Sequence, residues 1–322
     1  MTRDIDVLVV GDANPDLILR GDVVPRFGQS EQLLDGADLT VGGSGAIVAH
    51  GLARLGLRTT MVAVIGADAF GTLTRDQMAA AGIDVAQLRT DPARPTGLSV
   101  ILIQGESRSI LTLVGAIATL DPAGVDDDLL RRAEHVHVSS FFLQPTLAAG
   151  LPDLFRRARA AGCSTSLDTN FDPAGRWDGL EDVLPVTDVL LPNRTEALAL
   201  AKRYGAADPD APTGEAADVA VAAAAISARG PLVVVKDGER GAVAVTPDGQ
   251  TWRQPGHPVV AVDSTGAGDS FDAAFLAGRS LGRSLPECLD LACRAGARST
   301  LGVGGTSTQA TAADLELVAA RP

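Results

Sequence analysis

Short apolar runs alternate along this chain with longer stretches whose apolar residues recur at helical spacing. Val7–Val10, Thr60–Ile65, His135–Ser139, Ser164–Leu167, Asp188–Leu191 and Leu232–Lys236 have the length and β-rich character of buried strands. Between most of them lie Ala46–Leu55, Gly71–Ala81, Leu147–Ala161 and Asp218–Arg229, which read as helices. Parallel strands joined by helices give this alternation, so the pattern predicts an α/β layered core. Two segments break it. Residues 16–40 hold Leu17–Arg20, a turn at Pro25-Arg26-Phe27-Gly28 and a further extended piece, and residues 95–114 read as a hairpin of Gly97–Ile103 and Ser109–Val114. These predict either a small projecting sheet or edge strands of the main one. No repeat or linker divides residues 1–322, which are expected to form one domain, and the stretch 205–217 reads as a surface loop.

Composition narrows the function classes. Aromatics are 3% of 322 residues, so the core has to be aliphatic. A net charge of −13 removes the general attraction to phosphate backbones and anionic lipid that nucleic-acid or membrane binding needs. No run approaches the ~18 apolar residues of a membrane span, and Ile5–Val10 is too short for a signal peptide. Cys163, Cys288 and Cys293 lack metal-site spacing and read as buried free thiols. A soluble cytoplasmic protein is expected.

The chemistry concentrates in Asp263-Ser264-Thr265-Gly266-Ala267-Gly268-Asp269, entered by the apolar extended run Val259–Val262 and left by the helix-forming Phe271–Leu281. Small residues there let the backbone approach a ligand, and the first N–H groups of a helix converge on an anion. A carboxylate in the same turn can take the proton of an attacking hydroxyl in phosphoryl transfer. Asp269 could instead simply cap the helix. A cap, however, accounts for neither the three small residues Gly266, Ala267 and Gly268 nor the paired Asp263.

This segment resembles the second signature of the ribokinase-like (PfkB) carbohydrate kinases, and Gly42-Gly43-Ser44-Gly45-Ala46 with Leu52-Ala53-Arg54-Leu55-Gly56 resembles their first. The resemblance spans nearly the whole chain. It implies a three-layer α/β/α core with a mostly parallel sheet, a small β-sheet lid from about 16–40 and 95–114, and ATP-dependent phosphorylation of a sugar hydroxyl by Asp269 as base over the anion hole of Gly266, Ala267 and Gly268. It further implies that Asn193 and Glu196 of Asn193-Arg194-Thr195-Glu196 organise Mg²⁺. Lys236, Gly238 and Gly241 would contact nucleotide, and Asp168 and Asn170 would lie near the transferred phosphate. Asp263 and Thr265, with backbone around Ser299–Gly305, would match a monovalent-cation loop for an ion such as K⁺. In many members the lid pairs two copies, which makes a homodimer the expected assembly.

At the substrate end, Asp16 resembles the family aspartate that hydrogen-bonds sugar hydroxyls, with Gly43, Ser44 and Gln144 as further contacts. Ile47 and Ile117 stand where the family commonly has Asn. Losing two amides removes hydrogen bonds to hydroxyls, which points away from ribose and keeps a nucleoside acceptor open. A nicotinamide enzyme is the rival from another class, because Gly43-Ser44-Gly45 with Asp68 imitates a dinucleotide fingerprint. The preceding segment Gly36–Val41 is too short and polar for that role, and the first strand ends in Gly11-Asp12-Ala13-Asn14 without such a loop. A binding protein of the same fold without activity is a second rival, opposed by the intact Asp269, Asn193 and Glu196.

Overall fold

The computed structural model describes residues 3–28, 30–105, 107–204 and 218–317. In chain order the strands are β1 Ile5–Val10, β2 Asn14–Gly21, β3 Leu34–Gly42, β4 Thr59–Gly66, β5 Leu88–Asp91, β6 Leu98–Gln104 and β7 Ser107–Leu113, then β8 Ala133–Ser139, β9 Ser164–Asp168, β10 Val189–Leu190, β11 Leu232–Lys236, β12 Ala242–Val245 and β13 Thr251–Gln254. The helices are α1 Ser44–Arg54, α2 Ala69–Ala80, α3 Asp127–Arg132, α4 Pro145–Ala160, α5 Arg194–Arg203, α6 Val219–Ser227, α7 Ala267–Ser280 and α8 Leu285–Ser299.

Nine strands form the main sheet in the order β13-β12-β11-β10-β9-β8-β1-β4-β5, parallel except where β12 and β13 fold back on its edge. Central strands such as β1 and β4 are buried throughout, so they read as continuous apolar runs rather than alternations. Leu8 and Val10 face one core, with Phe155, Leu200 and Ile226. Val7 and Val9 face the other, with Leu52, Met61, Phe271 and Phe275. Helices therefore cover both faces, and the expected three layers are present.

Of the two arrangements left open for the unusual segments, the separate sheet is the one observed, in the order β3-β2-β6-β7. Its register places Asp16, Ile18, Thr40, Ser99, Ile101 and Arg108 on one face. Leu17, Leu19, Leu39, Val100, Leu102, Leu111 and Leu113 share the opposite face. The run Val259–Val262 differs from expectation. It joins neither sheet, and Val260 is 89% exposed. Pro255 and Pro258 interrupt pairing just beyond β13, so apolar character alone did not make a strand. The stretch 205–217 lies outside the described residues. Among those described, no helix is long and apolar enough to cross a membrane, and the three cysteines are buried and free.

One polar feature runs through the layers. In the register of β8 and β9, His135 faces Ser164, His137 faces Ser166, and Ser139 faces Asp168. His135 bonds Ser164 and Ser166 at 2.6 Å each, while His137 bonds Ser166 at 2.7 Å and Ser139 at 2.8 Å. Each ring thus lies between two hydroxyls, with one nitrogen donating and the other accepting. Burial lowers the pKa of His135 to about 3 and of His137 to about 4. The stability they contribute is fully present above an unfolded value of about 6.5 and is lost as pH falls through about 4 and then about 3. Nitrogen NMR is expected to show both rings neutral at pH 5.5; a protonated His137 at that pH would rule the ladder out.

Candidate active site

The glycine turn lies at the start of α7. Gly266 has φ 70°, and a Cβ there would fall 2.6 Å from Gly305 Cα, so only glycine fits both the conformation and the close approach of the C-terminal loop. Asp269 sits in the first turn of α7, 9% exposed, where the helix end favours a negative charge. The Ser44 hydroxyl from α1 donates to its Oδ1. Burial pushes the Asp269 pKa up to about 7; the Ser44 hydrogen bond opposes this, Asp168 and Asp12 add to it, and Lys236 counters them.

Behind Asp269 the ends of three elements converge. Lys236, closing β11, places Nζ 2.7 Å from Asp168 Oδ2 and 3.0 Å from Asp272 Oδ2. Carboxylate oxygens of Asp168, Asp269 and Asp272 lie within 4.8 Å of one another. Burial works against all these charges. Lys236 outweighs it at Asp168 and lowers that pKa, whereas Asp272 is raised well above the usual carboxylate range. Lys236 and Asp168 therefore form the ion pair of the cluster, and burial favours the protonated form at Asp272. Asp272 has no role in the sequence reading, although its position three residues after Asp269 placed both on one helix face.

Asp16 and its neighbours form the opposite wall. Asp12, also without an assigned role from sequence, accepts from the Ser44 and Gly45 N–H groups at 3.1 and 2.9 Å, anchoring the start of α1. Gly43 takes φ 82° at that junction. Asn14 Nδ2 donates to Asp16 Oδ1 at 3.2 Å. A Cβ on Gly42 would lie 2.0 Å from the Asp16 carboxyl, so glycine is what leaves room for it. Burial pushes Asp16 up to about 7; Ser99 lowers it, and Asp12 and Asp269 raise it. Ile47 is buried beneath the glycine turn, its methyls directed at Gly266 and Gly305, and Ile117 packs against Gly97.

The small sheet lies over this wall and meets the turn. Arg108, just past the β6–β7 hairpin, donates to Ser264 Oγ at 3.2 Å and Thr265 Oγ1 at 3.4 Å. Thr40 and Thr306 hydroxyls are 3.2 Å apart. Asp263 ties the loops beneath, accepting from Thr265 N–H, Thr265 Oγ1 and Gly304 N–H at 2.7 to 2.9 Å. Sequence offered no signal for Arg108, because the contact spans 156 positions.

At the far end, Asn193 and Glu196 form a capping box on α5, the reciprocal arrangement by which such a pair also starts a helix. Both Glu196 oxygens accept from Asn193, at 2.8 and 2.6 Å. Burial, with Asp168 nearby, pushes Glu196 up to about 8. Asn193 bridges to Lys236, and the following turn uses positive φ at Gly238 and Gly241 while Arg194 and Arg240 hold Asp237. Asn170 stands beside Ser44. Gln144 is fully buried; its Nε2 donates to the Ser139 and Ser140 carbonyls, and its Oε1 has no partner. The structure thus gathers Asp269, Ser44, Asn170, Asp168 and Lys236 in one cluster, with Asp16 on its edge, and turns the Gln144 side chain to backbone.

The profile of the pfkB family carbohydrate kinases matches residues 4–312 of this chain. The chain belongs to that family. The ATP-dependent ribose-1-phosphate kinase of Halopiger xanaduensis is 31% identical over 279 residues, which cover 85% of this chain and 84% of that protein. The ribokinase of Arabidopsis thaliana, solved with ribose and ATP, superposes with a TM-score of 0.82 at 26% identity, covering 98% of each chain. An adenosine kinase from Sinorhizobium meliloti superposes equally well, with a TM-score of 0.82 at 25% identity over 97% of this chain and 98% of its own. As a pfkB member, the protein is an ATP-dependent carbohydrate kinase with the ribokinase-like fold.

Proposed function

We propose that this kinase phosphorylates a hydroxyl of a small sugar or sugar-like molecule, with Asp269 as general base. The observation that carries the reading is a buried Asp269 in the first turn of α7, bonded by the Ser44 hydroxyl and near enough to Asp16 for the two carboxyls to repel. In this reading Asp16 accepts from acceptor hydroxyls, with Gly43 lining the same wall. The attacking oxygen forms a bond to the γ-phosphorus of ATP while its proton passes to Asp269. The bond to the bridging oxygen breaks and ADP leaves. The turn of Gly266, Ala267 and Gly268 is the anion hole of this reading, with the Ala267 N–H resting on the Ser264 carbonyl at 3.3 Å before a phosphoryl group arrives. Lys236 keeps Asp168 paired beside that path, and Asn170 lies next to it. Asn193, Gly238 and Gly241 line the nucleotide end, and Arg108 brings a positive charge from the lid.

Mg²⁺ fits that end. Glu196 offers hard oxygens, and its raised pKa marks a buried carboxylate short of positive charge. Glu196 and Asn193 would hold the ion's water shell, and the ion would supply charge neutralisation on the phosphates. A monovalent cation such as K⁺ beside Asp263 and Thr265 is part of the same reading, supported by the loop they tie to Gly304. Three free thiols accord with a cytoplasmic site of action.

A nucleoside is the second acceptor class, favoured by Ile47 and Ile117, whose methyls pack on Gly266, Gly305 and Gly97 where amides would have offered hydrogen bonds. ADP release measured over ketoses, aldoses, deoxy sugars and nucleosides tests both classes. Turnover of some member of the panel is expected, and none would sink the reading. In the same assay Glu196→Gln should need more Mg²⁺ for half-maximal rate, and Na⁺ in place of K⁺ should slow turnover.

The outer lid face supports a homodimer. Leu39, Leu111 and Leu113 are 44%, 56% and 52% exposed on a continuous apolar surface, and a second copy would cover it symmetrically. Sedimentation should give twice the chain mass, and Leu111→Lys should give monomer. A monomeric parent protein would reject the pairing.

A further inference from the structure

With Asp269 ionised, the hydrogen bonds around it have one consistent direction. The Ser140 backbone N–H can only donate, and it lies 2.7 Å from Asn170 Oδ1. That fixes the Asn170 amide, whose oxygen must face Ser140 and whose nitrogen must face away. Asn170 Nδ2 then donates to Ser44 Oγ at 3.1 Å. Having accepted that bond, the Ser44 hydroxyl directs its own single hydrogen to Asp269 Oδ1.

The backbone supports the same arrangement. Ser140 and Asn170 are non-glycine residues in the left-handed region, at φ 58° and 53°, at the ends of the neighbouring strands β8 and β9. Such conformations persist where surrounding bonds over-determine them. Here Asn170 N–H donates to Asp168 Oδ1 at 3.1 Å, and Gln144 Nε2 holds the Ser139 and Ser140 carbonyls. The chain of contacts therefore runs from Gln144 through Ser140, Asn170 and Ser44 to Asp269.

We infer that Asn170 and Ser44 are positioning residues for the base: Asn170 sets the direction of the Ser44 hydroxyl, and Ser44 delivers its hydrogen to one oxygen of Asp269, leaving the other for the acceptor. The inference rests on the reading of Asp269 as base. It gives Ser44 and Asn170 a function in preparing the enzyme before either substrate arrives. Around Asp269, burial and the carboxylates of Asp168 and Asp12 disfavour its ionisation and Lys236 favours it, while the buried carboxyls of Asp16, Asp272 and Glu196 face the same space. Ser44 is the side-chain hydroxyl that acts with Lys236.

Carbon NMR of protein labelled at aspartate carboxyls, with the Asp269 signal assigned by its loss in Asp269→Asn, tests this without a known acceptor. Ser44→Ala is expected to raise the Asp269 midpoint by about one pH unit, a tenfold change in proton affinity. Asn170→Gly, which accepts φ 53° without strain, should raise it by less. The double variant should match Ser44→Ala alone, because both substitutions remove one chain of bonds. Ser44→Thr, which keeps the hydroxyl, should restore the parent value. An unmoved midpoint in Ser44→Ala, or additive shifts in the double variant, would overturn the inference. Turnover of D-ribose, D-fructose and adenosine by Asp269→Asn separates the two claims. If that variant keeps the parent rate, the base assignment fails whatever the titrations show. If it loses turnover while the titrations do not move, the positioning claim fails alone.

Discussion

Asp269→Asn is expected to lower turnover by at least ~10³-fold, within the range lost when a general base is removed, while ATP and acceptor still bind. The substitution keeps the shape of the side chain and its place in the first turn of α7. What it removes, on the reading of Asp269 as base, is the ability to take the acceptor's proton as the new bond to phosphorus forms. Because the parent carboxyl has a pKa near 7, raised mainly by burial, the proton can be accepted and released close to neutral pH. A neutral amide also ends the repulsion with Asp168 and Asp12, so the variant should fold at least as well as the parent. Turnover within tenfold of the parent, measured by ADP release, would remove Asp269 from the mechanism.

Lys236→Met should have the largest effect on stability, about 3–5 kcal/mol, the scale on which losing one partner strands a buried charge. Lys236 is the cation between Asp168 and Asp272, which are 2% and 0% exposed. Without it the Asp168 carboxylate stays buried with no opposite charge, and its pKa rises into the range where folding has to take up a proton. Asp272→Asn should cost far less, within about 1 kcal/mol, because burial favours the neutral form of Asp272 and an amide has the shape and charge of that form. Urea unfolding of the two variants checks the contrast. Equal losses would mean that the proton is not held on Asp272.

Features written locally were legible in the sequence. The buried strands announced themselves as short apolar runs, and the glycine turn as a cluster of small residues between an Asp and a helix. The lid hairpin could be read, but its choice between the two sheets depended on long-range pairing. Asp272 was hidden because an aspartate within a helix usually faces water, and only the fold brings Lys236 to it. Arg108 and Asp12 act across the chain, where neighbouring residues carry no trace of the contact. Gln144 was read from its polarity as a substrate contact, and its amide instead donates to the backbone at the end of β8. The Val259–Val262 run shows the converse: an apolar string that follows two prolines lacks the partners that would have made it a strand.

The contacts between the lid and the turn have a consequence for how ATP is used. Among the described residues their hydrogen bonds are those of one arginine resting on two hydroxyls and of a threonine pair, worth about 1 kcal/mol each in exchange with water. If bonds this weak let the cover open, a nucleotide bound alone beneath it would meet solvent. On the proposed reading, in which acceptor hydroxyls reach Asp16, sealing would then depend on the acceptor. Selectivity against water as a competing nucleophile thereby rests with the incoming molecule: the better it fills the Asp16 pocket, the fewer phosphoryl groups are lost to idle hydrolysis.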